Sequence, residues 1–191
     1  MTYIWFLSDR YPQKMIGIYD DKASPNRYLF AQGLLIKENP GKVVIRLPKI
    51  TKDQVSKFNN IENSAGLPLV DKKIREILDD LAEFDVQYFD AIVECKDGII
   101  EDYSIVNATN AVMAVDHTRA QYSYFSDSTD IRRFQHLAFQ PHCLGNHLLA
   151  RNKEFRSHLL VSRLLVEAFK KNKITGIHCI TTDEYNAIGP I

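Results

Sequence analysis

The sequence predicts an α+β domain, a mostly antiparallel sheet with two or three helices. Three observations carry that expectation. Short apolar or alternating runs recur between turn residues, as strands do. Two stretches show helical spacing behind good capping residues. Those two stretches also resemble each other, each running as an apolar edge, a helix, a turn and a strand. Setting Val70 on Val161 aligns Asp71 with Ser162, Ile74 with Leu165, Glu76 with Glu167, Leu78 with Phe169, Val86 with Ile177 and Phe89 with Ile180, without a gap. Two copies do not make a solenoid; they frame one domain as two similar corners.

In chain order, residues 3–7 form a dense aromatic and apolar run, a buried strand, and residues 15–19 form a second with Gly17 inside it. Residues 20–27 are a loop around Ser24-Pro25-Asn26. Residues 28–36 are long enough for a short helix that Gly33 weakens, and Asn39-Pro40-Gly41 is a turn. Residues 42–47 alternate as a half-buried strand, residues 51–58 are a short polar helix capped by Thr51, and residues 59–65 are a polar linker. The first helix–strand unit follows, with Asp71 as its cap.

Lys96-Asp97-Gly98 joins two apolar runs, 86–94 and 99–106, as a hairpin turn does. Residues 121–125 are a short aromatic strand. Residues 131–139 alternate with Ile131, Arg133, Gln135, Leu137 and Phe139 on one side. Residues 141–146 are a loop, and 148–151 are short and apolar. In the second unit Ser162 is the cap, Leu164, Leu165, Ala168 and Phe169 the buried face, and Lys170, Lys171 and Lys173 the basic last turn that suits the helix dipole. The division expected is residues 1–65, a β-rich part of the same domain or a small subdomain, and residues 66–191, an α+β domain.

At 191 residues, with 45% hydrophobic and 25% charged residues, the chain can bury one good core. A net charge of zero provides no global attraction to nucleic acid or an anionic membrane. Charge is nonetheless segregated. Residues 1–60 carry ten Lys/Arg and five Asp/Glu, residues 61–130 five and fifteen, and residues 131–191 nine and four. The acidic middle either solvates exposed faces or meets a basic partner. Cys95, Cys143 and Cys179 are odd in number and form no CxxC, which fits a reduced compartment. MTYIWFLSDR lacks a basic n-region and a long apolar run, and no run approaches a membrane span, so the expectation is a cytoplasmic protein.

For chemistry, His136, His142, Cys143 and His147 are the obvious cluster, since imidazole and thiolate bind zinc. Their spacing matches no standard finger, and Pro141, Gly145 and Asn146 favour a loop. A zinc-binding or cysteine-dependent module centred there is the alternative function. Cys179 sits among Ile177 and Ile180, which argues for packing rather than nucleophilic use. Asp79, Asp80, Glu83 and Asp85 crowd the end of the first helix, against its dipole. They offer an acid–base pair, a surface for a basic partner, or charge offset by lysines elsewhere. None of the eight glycines forms a phosphate loop, no aromatic–basic stacking platform is present, and no catalytic motif or cofactor signature emerges.

The order of motifs does resemble a known family. GLPLVDKKIREIL, then YSIVNATNAVMAVD, an aromatic strand, IRRFQHLAF, and finally HLLVSRLLVEAF with ITGIHCI resemble the immunity proteins of bacterial polymorphic toxin systems, family eleven or its close relative family forty-three. Leu67-Pro68-Leu69-Val70-Asp71, Tyr103 with Asn107 and Asp116, and Val161-Ser162-Arg163-Leu164 with Thr175-Gly176 match in order, over roughly residues 66–185. The chain departs from the pattern after Asp116, where His117-Thr118-Arg119 replaces a second carboxylate, and at the helix starts, where Asp-Lys-Lys and Ser-Arg-Leu replace Ser-Glu-Arg. The resemblance implies a non-catalytic protein, without cofactor or metal, that occludes a cognate toxin domain in the cytoplasm. Its partner is a protein rather than nucleic acid or membrane. Asp79, Asp80, Glu83 and Asp85 are then the candidate partner-binding residues, and electrostatic steering suits such pairs. Asn107, Asn110 and Asp116 are expected to shape a turn by side-chain-to-backbone bonds, and Trp5 to lie in the core.

Overall fold

The computed structural model describes residues 1–6 and 11–189. The chain is mixed α and β, with thirteen strands and four α-helices among the described residues. The strands are β1 (Thr2–Phe6), β2 (Ile18–Tyr19), β3 (Val43–Leu47), β4 (Asn60–Ile61), β5 (Leu69–Val70), β6 (Val86–Cys95), β7 (Gly98–Ala108), β8 (Ala111–Val112), β9 (Gln121–Tyr124), β10 (Ile131–His136), β11 (Leu149–Asn152), β12 (Leu159–Ser162) and β13 (His178–Ile180). The helices are α1 (Lys52–Val55), α2 (Lys72–Ala82), α3 (Arg163–Lys171) and α4 (Thr182–Ile188). Among the described residues no helix is long and apolar enough to cross a membrane.

A six-stranded sheet has the order β2-β3-β6-β7-β5-β4, a five-stranded sheet the order β13-β1-β12-β11-β8, and β9 and β10 form a separate pair. In the first sheet β5 and β6 both run antiparallel to β7, which lies between them. In the second sheet β12 and β13 both run antiparallel to β1, again between them. Each of α2 and α3 therefore crosses between two parallel strands that are split by a third. β7 is the next strand along the hairpin, whereas β1 comes from the opposite end of the chain. Parallel pairing is direct at β3–β6 and β8–β11, and at the isolated bridge between Gly17 and Asn63.

Side-chain alternation along the strands divides the interior into three layers. Val70 of β5 and Leu159 and Val161 of β12 face a central core with Ile74 and Leu78 of α2, Leu165 and Phe169 of α3, and Trp5. Leu69 faces the other side of the first sheet with Ile45, Phe89 and Ile105. Leu160 faces the outer side of the second sheet with Ile4, Phe134 and Tyr185. Trp5 packs edge-on to Phe169 with centroids 5.5 Å apart, so the tryptophan is a core residue as expected.

Several expectations need correction. The helices number four because Thr181-Thr182-Asp183-Glu184 is a capping box, Thr181 Oγ1 accepting from Glu184 N at 3.2 Å. Residues 28–36 form a 3-10 turn, Arg27–Ala31, and then an extended segment. Residues 13–15 form another 3-10 turn, which shortens the second strand to two residues. The polar linker contains β4, and its Asn60 and Asn63 are buried and hydrogen-bonded. In β10 the buried residues are Ile131 and Phe134, while Arg133 and Gln135 are exposed, because irregularities on either side of Arg133–Phe134 break the two-residue period. Leu7, assigned to the first strand, lies outside the described residues.

The two sheets are locked together at Thr175-Gly176. Asn60 N donates to Thr175 O at 3.1 Å, Asn60 Nδ2 donates to Gly176 O at 2.9 Å, and Thr175 N donates to Asn59 Oδ1 at 2.9 Å. Gly176 has φ +83°, and a Cβ there would lie 2.1 Å from Asn60 O. Only glycine lets the second unit's turn approach the first sheet this closely.

Candidate functional site

Helix α2 starts where Asp71 accepts from Ile74 N at 3.1 Å. Ile74, Leu78 and Ala82 form its buried face. Asp79 and Asp80 fall on the opposite side and are exposed, and so is Glu83 in the 3-10 turn Glu83–Asp85 that follows. Asp85 takes the next inward-facing place. It is only 6% exposed, a costly position for a carboxylate unless it is fully hydrogen-bonded. Asp85 Oδ1 meets His147 Nδ1 at 2.7 Å and Asn110 Nδ2 at 3.0 Å, and Oδ2 accepts from Leu148 N at 2.7 Å and Leu149 N at 3.3 Å. The carboxylate thus ties the end of α2 to the start of β11 in the other sheet. Of the four predicted acidic residues three are exposed, with Asp79 beside Tyr88 and Asp80 in a groove shared with Leu164 and Lys171 of α3, and the fourth is buried.

Between Glu83 and Asp85, Phe84 is 87% exposed. Its conformation is fixed by its neighbours. Thr109 Oγ1 donates to Phe84 O at 2.9 Å, and Thr109 N donates to Asp85 O at 2.9 Å. Leaving a phenylalanine in water forgoes about 1.5–3 kcal/mol of burial. Nearby, two amides at the end of the β6–β7 hairpin hold an extended segment. Gln87 Oε1 accepts from Ile36 N at 3.0 Å, Gln87 Nε2 donates to Ile36 O at 2.8 Å, and Asn107 Nδ2 donates to Leu34 O at 2.8 Å. Leu34 and Leu35 on that segment are 62% and 61% exposed. The acidic residues therefore share the helix end and hairpin end with three exposed apolar side chains.

Asp79 also acts on Tyr88, whose hydroxyl donates to Arg75 O at 3.4 Å and is pushed above its ordinary value by burial first and then by the Asp79 carboxylate. The Arg75 guanidinium lies 4.7 Å from the Tyr88 ring centre. Asn107 and Asn110, expected to shape a local turn, instead reach distant segments, Leu34 and Asp85 respectively. Asp116 does form the turn: Thr118 N donates to it at 3.0 Å and Arg119 Nε at 2.6 Å. Those bonds lower its carboxyl to about 2, the Thr118 side chain first and Arg119 next.

The histidine–cysteine cluster is not assembled. His147 is committed to Asp85, and Cys143 Sγ lies 3.3 Å from Thr2 Oγ1. Among the described residues no group of three His, Cys, Asp or Glu is placed to hold a metal ion. The Cys179 thiol is pushed up to about 12 by burial, the opposite of what a nucleophile needs.

Sequence reasoning passed over Phe84, Leu34 and Leu35. A signal existed for Phe84, since it falls off the 74–78–82 face yet is aromatic. A surface that combines fixed apolar side chains with same-sign charges is suited to recognition rather than to bond-making. Comparison with curated proteins gives no match. The family model described as immunity protein family (Imm11) matches residues 12–183, most of the chain, and the protein belongs to that family.

Proposed function

We propose that this protein neutralises a cognate toxin domain of a bacterial polymorphic toxin system by binding it in the cytoplasm and blocking its active site, without catalysis. The toxin-facing surface is the end of α2, with Phe84 as the central anchor, Leu34 and Leu35 beside it, and Asp79, Asp80 and Glu83 as an acidic rim for a basic partner. Asp85 serves the same surface from beneath by fixing the turn that presents Phe84. That β1 and β3 supply strands to the two sheets supports reading the first 65 residues as part of the same domain rather than as a small subdomain. The partner is a protein rather than nucleic acid or membrane.

The observation that carries this reading is the 87% exposure of Phe84 on a backbone bonded at both its own carbonyl and the next. The test is co-expression with the toxin domain encoded beside this gene, scored by growth and by co-purification. Rescue with a stable complex, and loss of both on exchanging Phe84 and the three exposed acidic residues, is the expected result. Rescue that survives those exchanges moves the interface elsewhere. Absence of both rescue and complex, with both proteins folded, defeats the neutralising role.

A further inference from the structure

One group in the second sheet plays no part in the surface just described. Arg151 of β11 is only 2% exposed. Its Nη1 donates to Arg156 O at 3.2 Å, but Nε and Nη2 have no hydrogen-bond partner among the described residues. Burial alone lowers its affinity for its proton, to about 10, which records the lack of a counter-charge. The same charge, after burial, helps hold nearby His158 neutral, at about 3. A buried cation with neither ion pair nor full hydrogen bonding is strongly unfavourable, and proteins seldom retain one without a use.

Arg151 lines a cavity of about 370 Å³, and so do Arg27 and Arg156. None of the described residues lining it is acidic, and no carboxylate among the described residues lies within ion-pair distance of any of the three arginines. Arg156 bonds Gln32, another lining residue, which ties the β11–β12 loop to the 3-10 turn Arg27–Ala31. Gly33 lets that turn close onto β11, because a Cβ there would lie 2.9 Å from Arg151 Cβ and 2.8 Å from Asn110 O. Tyr28 also lines the cavity and is exposed, with the Arg27 guanidinium 5.4 Å from its ring centre.

We infer that this cavity binds a small phosphorylated ligand, with Arg27 and Arg156 holding the phosphate, the unbalanced charge of buried Arg151 attracting it from behind them, and Tyr28 offering a face to the remainder. Three positive charges exceed what one carboxylate balances, and the planar guanidinium fork matches phosphate oxygens. The volume is that of a small-molecule site rather than of a bare ion. No bond is made or broken; the ligand completes the charge balance of the fold.

The test uses the full-length protein without toxin, so it is independent of the neutralising role. Thermal unfolding is followed in inorganic phosphate, adenosine monophosphate, adenosine, acetate and chloride at matched ionic strength. Calorimetric titration then gives affinities for the two phosphates. Phosphate and adenosine monophosphate are expected to raise the midpoint by several degrees while adenosine and acetate leave it unchanged, as binding to the folded state alone requires. Arg27→Ala and Arg156→Ala are expected to weaken phosphate binding at least about tenfold while keeping the midpoint in chloride. Arg151→Met is expected to abolish the phosphate response and to be no less stable in chloride. Equal midpoints in phosphate and chloride overturn the proposal. So does acetate acting as strongly as phosphate, or a phosphate effect that survives both Arg27→Ala and Arg156→Ala.

Discussion

The two helix–strand units solve the same packing problem with opposite electrostatics. In both, a capped amphipathic helix crosses between parallel strands split by an antiparallel third, and both helices face one central core. Helix α3 suits its dipole at its C-terminal end, although Arg163 stands in its first turn and Leu164, expected on the buried face, is 50% exposed. Ser162 caps it, Arg163 pairs with Glu167 at 2.6 Å, Lys170 and Lys171 occupy its last turn, and Asn172 closes it. Helix α2 is capped equally well by Asp71 but has no basic residue in its last turn. It ends instead in Asp79 and Asp80, with Glu83, Phe84 and Asp85 following. The second unit shows that this fold can be built with a basic last turn and without an exposed aromatic after the helix. The acidic last turn and exposed Phe84 of the first unit therefore point to a use other than folding, whereas Asp85 serves the fold.

The strongest way to break the comparison is at Asp85, which has no counterpart in the second unit. Asp85→Ala leaves two backbone amides, Asn110 and His147 without their acceptor. A loss of about 3–5 kcal/mol is expected by chemical denaturation; a loss under 1 kcal/mol would show that Asp85 does not join the sheets. Acid and base should then separate the sheets. Glu62, next to β4 in the first sheet, is raised to about 7 by burial, against a lowering bond from Asn60. The folded protein holds that proton longer than the unfolded chain, so stability falls as pH rises from about 4.5 through 7. His158, next to β12 in the second sheet, is lowered to about 3 by burial and by Arg151. The unfolded chain takes that proton first, so stability falls as pH drops below about 6.5 towards 3. The limbs are on the order of 3 and 5 kcal/mol, respectively. Glu62→Gln should flatten the alkaline limb alone and His158→Phe the acid limb alone, measured as unfolding free energy against pH.

What was legible in the sequence was what is local. Asp71, Ser162 and Thr51 announce their helices because a cap acts on amides two or three residues away. Lys96-Asp97-Gly98 announces its hairpin for the same reason. The insertion of β1 between β12 and β13 was not legible, since it joins residues about 160 positions apart and depends on no local signal. Neither was the burial of Arg151. Leu149-Ala150-Arg151 reads as an apolar run with a charge at its edge, until β8 and Gly33 cover that charge. Within the candidate surface, Asp79, Asp80 and Glu83 were singled out from charge alone. Leu34 and Leu35 were missed because only the distant Gln87 and Asn107 hold their segment outward.

Smaller effects sharpen the comparison at the surface. Phe84→Ala should weaken toxin binding by about 2 kcal/mol, mostly through faster dissociation, since it removes a central anchor. It should leave folding stability within about 0.5 kcal/mol, because an exposed side chain has little packing to lose. A matched loss of stability and affinity would make Phe84 a structural residue instead.

The finest test exchanges the helix ends. Asp80→Lys with Glu83→Lys gives the end of α2 the kind of charge that α3 has while sparing the Asp79 carboxylate beside Tyr88, and should stabilise the fold by about 0.5–1 kcal/mol at low salt. Lys170→Glu with Lys171→Glu gives α3 the conflict now present in α2, and should cost a similar amount. If both pairs act through the dipole alone, their stability effects are equal, opposite and erased together by salt. Toxin association should not be symmetric: the α2 exchange is expected to slow it at low salt, the α3 exchange to leave it unchanged, as read from association rates across ionic strength. Equal effects of the two exchanges on association would mean that net charge steers the partner and that the end of α2 has no special role.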